Sequence, residues 1–258
     1  MNSLASPRRS RYAPGVLVLL ALMLTALLYS TVVPADAQNG ASSADITAGE
    51  NLFSANCAYC HGAQGQGSDV GPSLIGVGAA AVDFQVGTGR MPMVSNSPQA
   101  PAKPVQFNEE QISQMAAYVA SLGPGPSIPS AEQVDPALGD PAAGMQLFRT
   151  NCAMCHNAVG AGGALSEGKI APPVTSTTPS HIYSAMLTGP QAMPVFNDAS
   201  ITPEGKRDII AYIDAQNDVN PGGFSLGSLG PVAEGVWVWI LGIGTLIAIS
   251  VWVGAKSS

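Results

Sequence analysis

Two long apolar runs enclose a polar middle region. Residues 16–33 carry no charge over 18 positions, and residues 235–255 hold no ionisable side chain over 21 positions. Because a helix rises about 1.5 Å per residue, each run is about as long as the hydrocarbon core of a bilayer is thick. The pattern predicts an apolar helix near the N-terminus and a transmembrane helix over residues 232–255.

The N-terminal run has two interpretations. Arg8, Arg9 and Arg11 precede it, and Ala35-Asp36-Ala37 comes after it, as at the small-residue cleavage site of a secretory signal. The run is longer than an ordinary signal core, which also suits an uncleaved anchor. Residues 1–37 are therefore predicted to be a signal or a membrane anchor, and both interpretations export the polar middle region.

The C-terminal run has the features of a membrane span. Trp237 and Trp239 lie near one end and Trp252 near the other, where indole rings favour the membrane interface, and Lys256 lies just beyond the run. The alternative is a helix buried in a protein core. Because the positive residues lie outside both runs, both ends are predicted to be cytoplasmic, with the middle region on the extracytoplasmic side of the plasma membrane.

The middle region is predicted to repeat one domain. Residues 48–61 and 143–156 are identical at most of their fourteen positions. Weaker matches continue beyond each copy, which gives two domains over residues 45–122 and 141–219. The connection between them, residues 123–140, is rich in Pro and Gly and is predicted to be a stiff linker.

Helix signals dominate both copies. Asn108 is a predicted N-cap, and so is Thr202, which is followed by Pro203 at the first helical position. Long alternating strand patterns are absent from the sequence, so the predicted fold class is all-α. In each copy a glycine and a phenylalanine four residues apart are predicted to pack against the last helix. These residues and the tyrosine of that helix are Gly49, Phe53 and Tyr118, and Gly144, Phe148 and Tyr212.

All four cysteines belong to two Cys-x-x-Cys-His motifs. Two thiols three positions apart at a helix start can each bond to a haem vinyl group, and the next imidazole is then held against the iron. This pattern predicts two covalently bound haem c groups. A thioredoxin-like redox pair, a zinc site and structural disulfides are the alternatives, and none of them requires a His after each pair. The motif residues are Cys57, Cys60 and His61, and Cys152, Cys155 and His156.

A methionine followed by a proline is the candidate second axial ligand in each copy. Met91 lies 30 residues beyond His61, and Met193 lies 37 residues beyond His156. A thioether favours reduced haem iron and raises its reduction potential. Core filling is the other ordinary use of such methionines. The alternative ligands are Met93 and His181.

Four further residues are candidates for contacts around the haem groups. A proline carbonyl can accept the second N–H of an axial histidine, and Pro72 and Pro172 are predicted to do so, with Pro173 as the alternative to Pro172. Arg90 is a candidate partner for a haem propionate, although a solvated arginine is the default expectation.

The chain is acidic and sparsely charged. Its net charge is -7, its sequence pI is near 4.7, and 10% of its residues are charged. Nucleic-acid phosphates are bound by Lys and Arg, so this balance argues against a nucleic-acid partner. It suits a protein partner with a basic face. No catalytic triad order, phosphate loop or carboxylate pair stands out, so no catalytic residue is predicted.

These motifs resemble class I cytochrome c domains in tandem, over about residues 45–217. The order of segments along the chain, with a membrane helix after the second domain, is similar to that of the dihaem cytochrome c subunit of the actinobacterial cytochrome bcc complex, a menaquinol–cytochrome c reductase. The resemblance implies covalent haem attachment at all four cysteines. It also implies two axial pairs, His61 with Met91 and His156 with Met193.

The resemblance further implies a respiratory function. In that family the subunit works beside cytochrome b, takes electrons from a Rieske iron–sulfur protein and passes them to a cytochrome c oxidase. The chain is then an electron carrier within a quinol–cytochrome c reductase. Two positions depart from the pattern: Asn157, where a Gly often follows the His, and Ala171, where the first copy has Gly71. Neither departure removes a ligand.

Two other functions are alternatives. A dihaem subunit of a cbb3-type oxidase carries similar domains, but that family is anchored through its N-terminus. A dihaem peroxidase requires one iron that opens to substrate, so loss of ligation by Met91 or Met193 would favour it.

Overall fold

The computed structural model describes residues 12–32, 41–95, 97–218 and 231–256. The chain divides into two compact units, and each is described by itself.

The first unit, residues 1–41, contains helix α1 (Ala13–Val32) in its described part. This helix covers nearly all of the predicted N-terminal apolar run. The three arginines before the run and the small residues around Asp36 lie outside the described residues. The choice between a signal and an anchor therefore stays a prediction.

The first half of the second unit, residues 42–122, is named the first module. Its described part contains α2 (Ser43–Asn56), α3 (Ala58–His61), α4 (Ala79–Gly87) and α5 (Glu109–Ser121). The side chain of Asn108 accepts a hydrogen bond from the backbone N–H of Gln111 at 2.9 Å, while the Gln111 side chain accepts one from the Asn108 N–H. This capping box starts α5 and confirms the predicted N-cap.

The linker packs on both of the segments that it joins. The Pro126 carbonyl accepts a hydrogen bond from the backbone N–H of Ala80, at the start of α4. The short helix α6 (Ala131–Val134) then places the Gln133 amide where it donates to the Tyr183 hydroxyl at 3.3 Å. A short 3-10 helix, Pro136–Leu138, completes the linker.

Residues 139–218 are named the second module, and they repeat the helix order of the first. The helices are α7 (Pro141–Asn151), α8 (Ala153–His156), α9 (Pro179–Thr188) and α10 (Pro203–Asp218). Thr202 Oγ1 accepts a hydrogen bond from the Gly205 N–H at 3.1 Å, which confirms the other predicted N-cap.

A small antiparallel ribbon interrupts the helices of the second module. It pairs β1 (Gly163–Ala164) with β2 (Ile170–Ala171), and the 3-10 helix Ser166–Gly168 joins the strands. The first module has only a single bridge at this place, between Ser68 and Gly71.

The first and last helices of each module cross at a glycine. A Cβ on Gly49 would overlap the carbonyl oxygen of Gln114 on α5, and a Cβ on Gly144 would overlap that of Asp208 on α10. Only a residue without a side chain allows this approach. The predicted aromatic contacts accompany the crossings, with ring centroids 5.2 Å apart for Phe53 and Tyr118 and 5.4 Å apart for Phe148 and Tyr212.

The C-terminal apolar run forms α11 (Pro231–Lys256). Its residues from Gly235 onward are apolar over a length that can cross a bilayer, and none of their described side chains is buried. A core helix would be covered by protein, so the exposed surface favours the predicted membrane span over the core-helix alternative.

Candidate haem-binding sites

Each Cys-x-x-Cys-His motif forms a tight helical turn after the first helix of its module. In the first module α2 ends at Asn56, and the N–H groups of Cys60 and His61 both donate to the Cys57 carbonyl, at 3.1 and 3.0 Å. The second module repeats this turn around Cys152 with distances of 3.1 and 2.9 Å. One turn of helix brings two thiols and an imidazole together without long-range contacts.

A proline carbonyl orients each motif histidine. His61 Nδ1 lies 2.7 Å from the Pro72 carbonyl oxygen, and His156 Nδ1 lies 2.9 Å from that of Pro172. A carbonyl only accepts hydrogen bonds, so Nδ1 carries the proton and the Nε2 lone pair is left for a metal. Both predicted contacts are confirmed, and Pro172 rather than Pro173 is the partner.

In each module one candidate methionine packs on the same core cluster as the first cysteine of the motif. Met193 packs on the core cluster of the second module, as Cys152 does. Met91 packs on the cluster of Val86, Ile112 and Met115, which Cys57 also contacts. Met93 packs on none of the core clusters that the described residues form. This placement favours Met91 over Met93 as the ligand.

An open, largely apolar cavity lies beside the second motif. Cys152, Cys155, His156 and Met193 all line it. Two thiols, an imidazole with a free Nε2 and a thioether between apolar walls are the donor set of a covalently attached haem. The residues therefore fit that group.

The thiols do not suit the alternative chemistries. Burial raises the pKa of the Cys57 thiol and of the Cys152 thiol to about 11, with a smaller contribution from the second cysteine of each motif. A redox-active Cys-x-x-Cys pair has a lowered pKa, so the thioredoxin-like alternative is disfavoured. Within the described residues no three His, Cys, Asp or Glu side chains come together as a metal site. All four cysteines are unpaired.

Comparison with known proteins places these sites in a family. The family model "Cytochrome C oxidase, cbb3-type, subunit III" matches residues 44–119 and 139–213, which correspond to the two modules. The FixP subunit of a cbb3-type oxidase from Sinorhizobium medicae is 30% identical over 122 residues, which cover 44% of this chain and 39% of that protein.

Relatives of nearly equal length decide between the possible families. The cytochrome bc1 complex cytochrome c subunit of Mycobacterium bovis is 44% identical over 259 residues, covering 96% of this chain and 92% of that protein. The same subunit of Corynebacterium diphtheriae is 44% identical over 269 residues, covering 96% and 95%. The chain belongs to the family of cytochrome bc1 complex cytochrome c subunits.

Membership of the bc1 cytochrome c subunit family confirms the predicted fold class and cofactors. The chain has two cytochrome c domains in tandem, followed by an apolar C-terminal helix. A cytochrome c domain carries covalently bound haem c, so the chain carries two haem c groups. It is a component of an electron-transport complex in the respiratory chain.

His181, the alternative ligand, lies on α9 where the two modules meet. Its Nε2 is 3.6 Å from Asp83 Oδ2 on α4, and its ring meets the Phe84 ring edge-on, with centroids 6.1 Å apart. Burial lowers the pKa of His181, although the Asp83 carboxylate opposes the shift. The Nε2 of this imidazole is therefore directed at Asp83, and Met193 remains the candidate ligand of the second site.

Arg90 is not the solvated side chain of the default expectation. It is half-buried, and its guanidinium carbon lies 4.9 Å from the centre of the Phe84 ring, above its face. Arg90 also lines the cavity of the second module, although it belongs to the first. The correction has a simple cause: α4 packs on α9, and this contact covers the loop that comes after α4.

Sequence reasoning missed the polar contacts between the modules. The Gln99 side chain donates to the Ile170 carbonyl at 2.7 Å and accepts from the Ile170 N–H at 2.9 Å. The Gln191 side-chain oxygen accepts from the Ala100 N–H at 3.0 Å. Isolated glutamines have no periodicity or motif that marks them. The one available signal is that the second copy has extra residues between its motif and its proline, and Ile170 lies among them.

Proposed function

We propose that the chain relays electrons within a menaquinol–cytochrome c reductase, from a Rieske iron–sulfur protein to a cytochrome c oxidase. The family membership supports a place in a bc1-type complex. The observation that carries the relay is the matched pair of sites, each with a histidine oriented by a proline carbonyl and a methionine packed at the same core. Two such sites in one chain give electrons two successive positions between a donor and an acceptor.

In each site the chain anchors, orients and encloses one haem. The thiols of Cys57, Cys60, Cys152 and Cys155 would hold the haem groups covalently. His61 and His156 would offer Nε2 to the iron, because their Nδ1–H groups are held by proline carbonyls. Met91 and Met193 would each offer a thioether as the second ligand. The bound haem supplies one-electron oxidation and reduction at its iron.

This ligand set favours a relay over a peroxidase. Ligation of each haem iron by a histidine and a methionine would leave no open position for a substrate. The quinol-oxidising chemistry then belongs to the complex, and the chain itself carries electrons. A thioether ligand also favours the reduced state, which suits a carrier that receives electrons from a quinol-driven donor.

The membrane helix sets the place of the relay. In this proposal α11 spans the plasma membrane, residues 1–37 form a signal or a second anchor, and the haem domains (45–122 and 141–219, joined by linker 123–140) lie on the extracytoplasmic side. The positive residues outside both apolar runs support this orientation. Tethering keeps the domains at a high effective concentration near cytochrome b, the Rieske protein and the oxidase. The net charge of -7 favours docking on a basic partner surface.

Purification with a tag from mild detergent tests the assignment. We expect cytochrome b and a Rieske protein to co-purify in fixed ratio with the chain, together with a cytochrome c oxidase when the detergent is mildest. The untagged chain on the same resin is the control. Co-purification of a different oxidase core without cytochrome b would contradict the proposed complex and leave the dihaem assignment intact.

A further inference from the structure

The cavity of the second module is not built by that module alone. Phe84, Arg90 and Gln99 of the first module line it together with Cys152 and the other donors of the second motif. Phe84 belongs to α4, and Arg90 and Gln99 belong to the loop after it, where Gln99 is bonded twice to the backbone of the second module. The first module therefore contributes side chains to the site of the other haem.

Arg90 is the cation of that cavity. Among the described residues that line it, Arg90 is the one Lys or Arg, and none is Asp or Glu. His181 also lines the cavity, but its Nε2 is directed at Asp83. The cavity thus holds one guanidinium in otherwise apolar and neutral surroundings.

The Arg90 guanidinium has no anionic partner in the described part of the chain. The ion pairs found there join other residues: Lys169 with Glu167, His181 with Asp83, and Lys206 with Asp198. Its contact is with the face of Phe84, which is 5% exposed. A half-buried cation on an aromatic face loses hydration without gaining a counter-charge, unless a ligand supplies one.

The haem of this site carries such counter-charges. Haem c has two propionate carboxylates, and a guanidinium binds a carboxylate through two parallel N–H groups better than a lysine ammonium can. We propose that Arg90 of the first module donates hydrogen bonds to a propionate of the haem in the second module. This inference rests on haem c occupying the second cavity, as the proposed function requires.

The arrangement links the two redox sites. Arg90 directly precedes Met91, the proposed ligand of the first haem, so one short loop serves both groups. A fixed positive charge near the second iron favours its reduced state, because reduction adds a negative charge. The propionate bond also holds the two modules in one relative arrangement, in addition to the contacts of Gln99 and Gln191.

Redox titration of the full-length, haem-loaded chain tests the proposal. Met91→His and Met193→His variants each lower the potential of one haem, and so assign the two titration waves. We expect Arg90→Gln to lower the equilibrium constant for reduction of the second haem about tenfold. This corresponds to a reduction potential about 59 mV lower for a one-electron couple. The first haem should change by less than half of that. Arg90→Lys keeps the positive charge but loses the two parallel N–H groups of the guanidinium, and it should give a smaller shift of the same sign.

Arg149→Gln is the matched control. It removes the same charge from an exposed position on α7 of the second module, and water screening should leave both potentials nearly unchanged. A shift confined to the first haem, no shift in Arg90→Gln, or an equal shift in Arg149→Gln would each overturn the proposal.

A second readout does not depend on the variant folding. In an experimental structure of the haem-loaded chain, an Arg90 nitrogen should lie within about 3.2 Å of a propionate oxygen of the second haem. A guanidinium directed into solvent or bound to the first haem would contradict the proposal. Both measurements use the isolated chain, so a failure to co-purify with cytochrome b would sink the proposed complex and leave this result standing.

Discussion

The two modules share their helix order and the contacts around each proposed haem site, and they differ in their loops. The glycine crossing, the Phe–Tyr contact, the tight Cys-x-x-Cys-His turn and the proline carbonyl are present in both. The modules differ in the loops between the motif and the methionine. There the second module has the β1–β2 ribbon, whereas the first module has, after α4, a long loop that carries Arg90 before its methionine and Gln99 beyond it. The difference teaches that the constant parts make each site, while the variable loops join the two sites.

The last helices differ in a second way. Aligned on Tyr118 and Tyr212, Ile112 of α5 corresponds to Lys206 of α10. Ile112 is buried in an apolar cluster, whereas Lys206 is 0% exposed and donates to Asp198 and to the Ile201 carbonyl. At this one equivalent position the first module thus uses apolar packing and the second uses a buried, hydrogen-bonded cation.

Removal of the proposed methionine ligands should have the largest effect and should show whether the sites are equivalent. We expect Met91→Ala and Met193→Ala each to abolish half of the thioether-to-iron charge-transfer absorbance of the oxidised protein. Each substitution should also lower the reduction potential of one haem, because a thioether favours reduced iron. We expect the equilibrium constant for reduction of that haem to fall more than tenfold.

Met93→Ala and His181→Ala are the controls for this experiment. Both should keep the full charge-transfer band, since Met93 packs on no described core cluster and His181 Nε2 faces Asp83. Loss of absorbance in Met93→Ala would move the first ligand to that residue. Full absorbance in Met91→Ala or Met193→Ala would show that the two sites are not a matched pair.

Substitution of the glycines at the helix crossings should have the next largest effect. An alanine at Gly49 or Gly144 places a Cβ into a backbone carbonyl, which cannot yield as a flexible side chain does. We expect each substitution to lower the free energy of unfolding of its module by about 3 kcal/mol, at the upper end of overpacking costs. Chemical denaturation followed through haem absorbance measures this.

Ala142→Val, on an exposed position of α7, is the control for Gly144→Ala. It adds bulk to the same helix without a neighbour and should cost less than about 1 kcal/mol. If only one of the two glycine variants is destabilised, the helix crossing is not a shared feature of the modules.

The buried lysine should give a smaller effect, confined to the second module. Lys206→Met leaves the Ile201 carbonyl without its donor and removes the 2.7 Å pair with Asp198. Because Asp198 is 63% exposed and regains water, we expect a loss of about 2 kcal/mol in unfolding free energy. Asp198→Asn keeps the bond to Ile201 and should cost less than half of that. An unchanged stability in Lys206→Met would show that apolar packing alone suffices, as at Ile112.

The sequence predictions that the structure confirms were based on residues that are close in sequence or repeated in both copies. The motif turns, the caps at Asn108 and Thr202 and the proline contacts all depend on residues close in sequence or repeated at matching places, and repetition marks them twice. The contact between the modules occurs once, so it has no repeat to mark it. Arg90 was expected in solvent because its burial depends on α4 meeting α9, a tertiary event that no local pattern records.

Exchanging the residues that follow the two motif histidines should have the smallest effect on stability. It is also the most direct comparison of the two modules. Gly62 has φ 81° and ψ 154°, and Asn157 has nearly the same conformation, φ 68° and ψ 156°. This region is open to glycine and costs other residues about 1–3 kcal/mol, while glycine loses about 0.5–1 kcal/mol more entropy on folding. Asn157→Gly should therefore raise the unfolding free energy of the second module by about 1 kcal/mol, and Gly62→Asn should lower that of the first by a similar amount.

Denaturation of both variants, with haem content held at two per chain, measures these two changes in unfolding free energy. Since the backbone turn is the same in both modules, equal and opposite changes would show that the departure at Asn157 is strain that the second module tolerates. A destabilised Asn157→Gly would instead show that the weak bond from the Val159 N–H to the Asn157 side chain, at 3.4 Å, outweighs the strain.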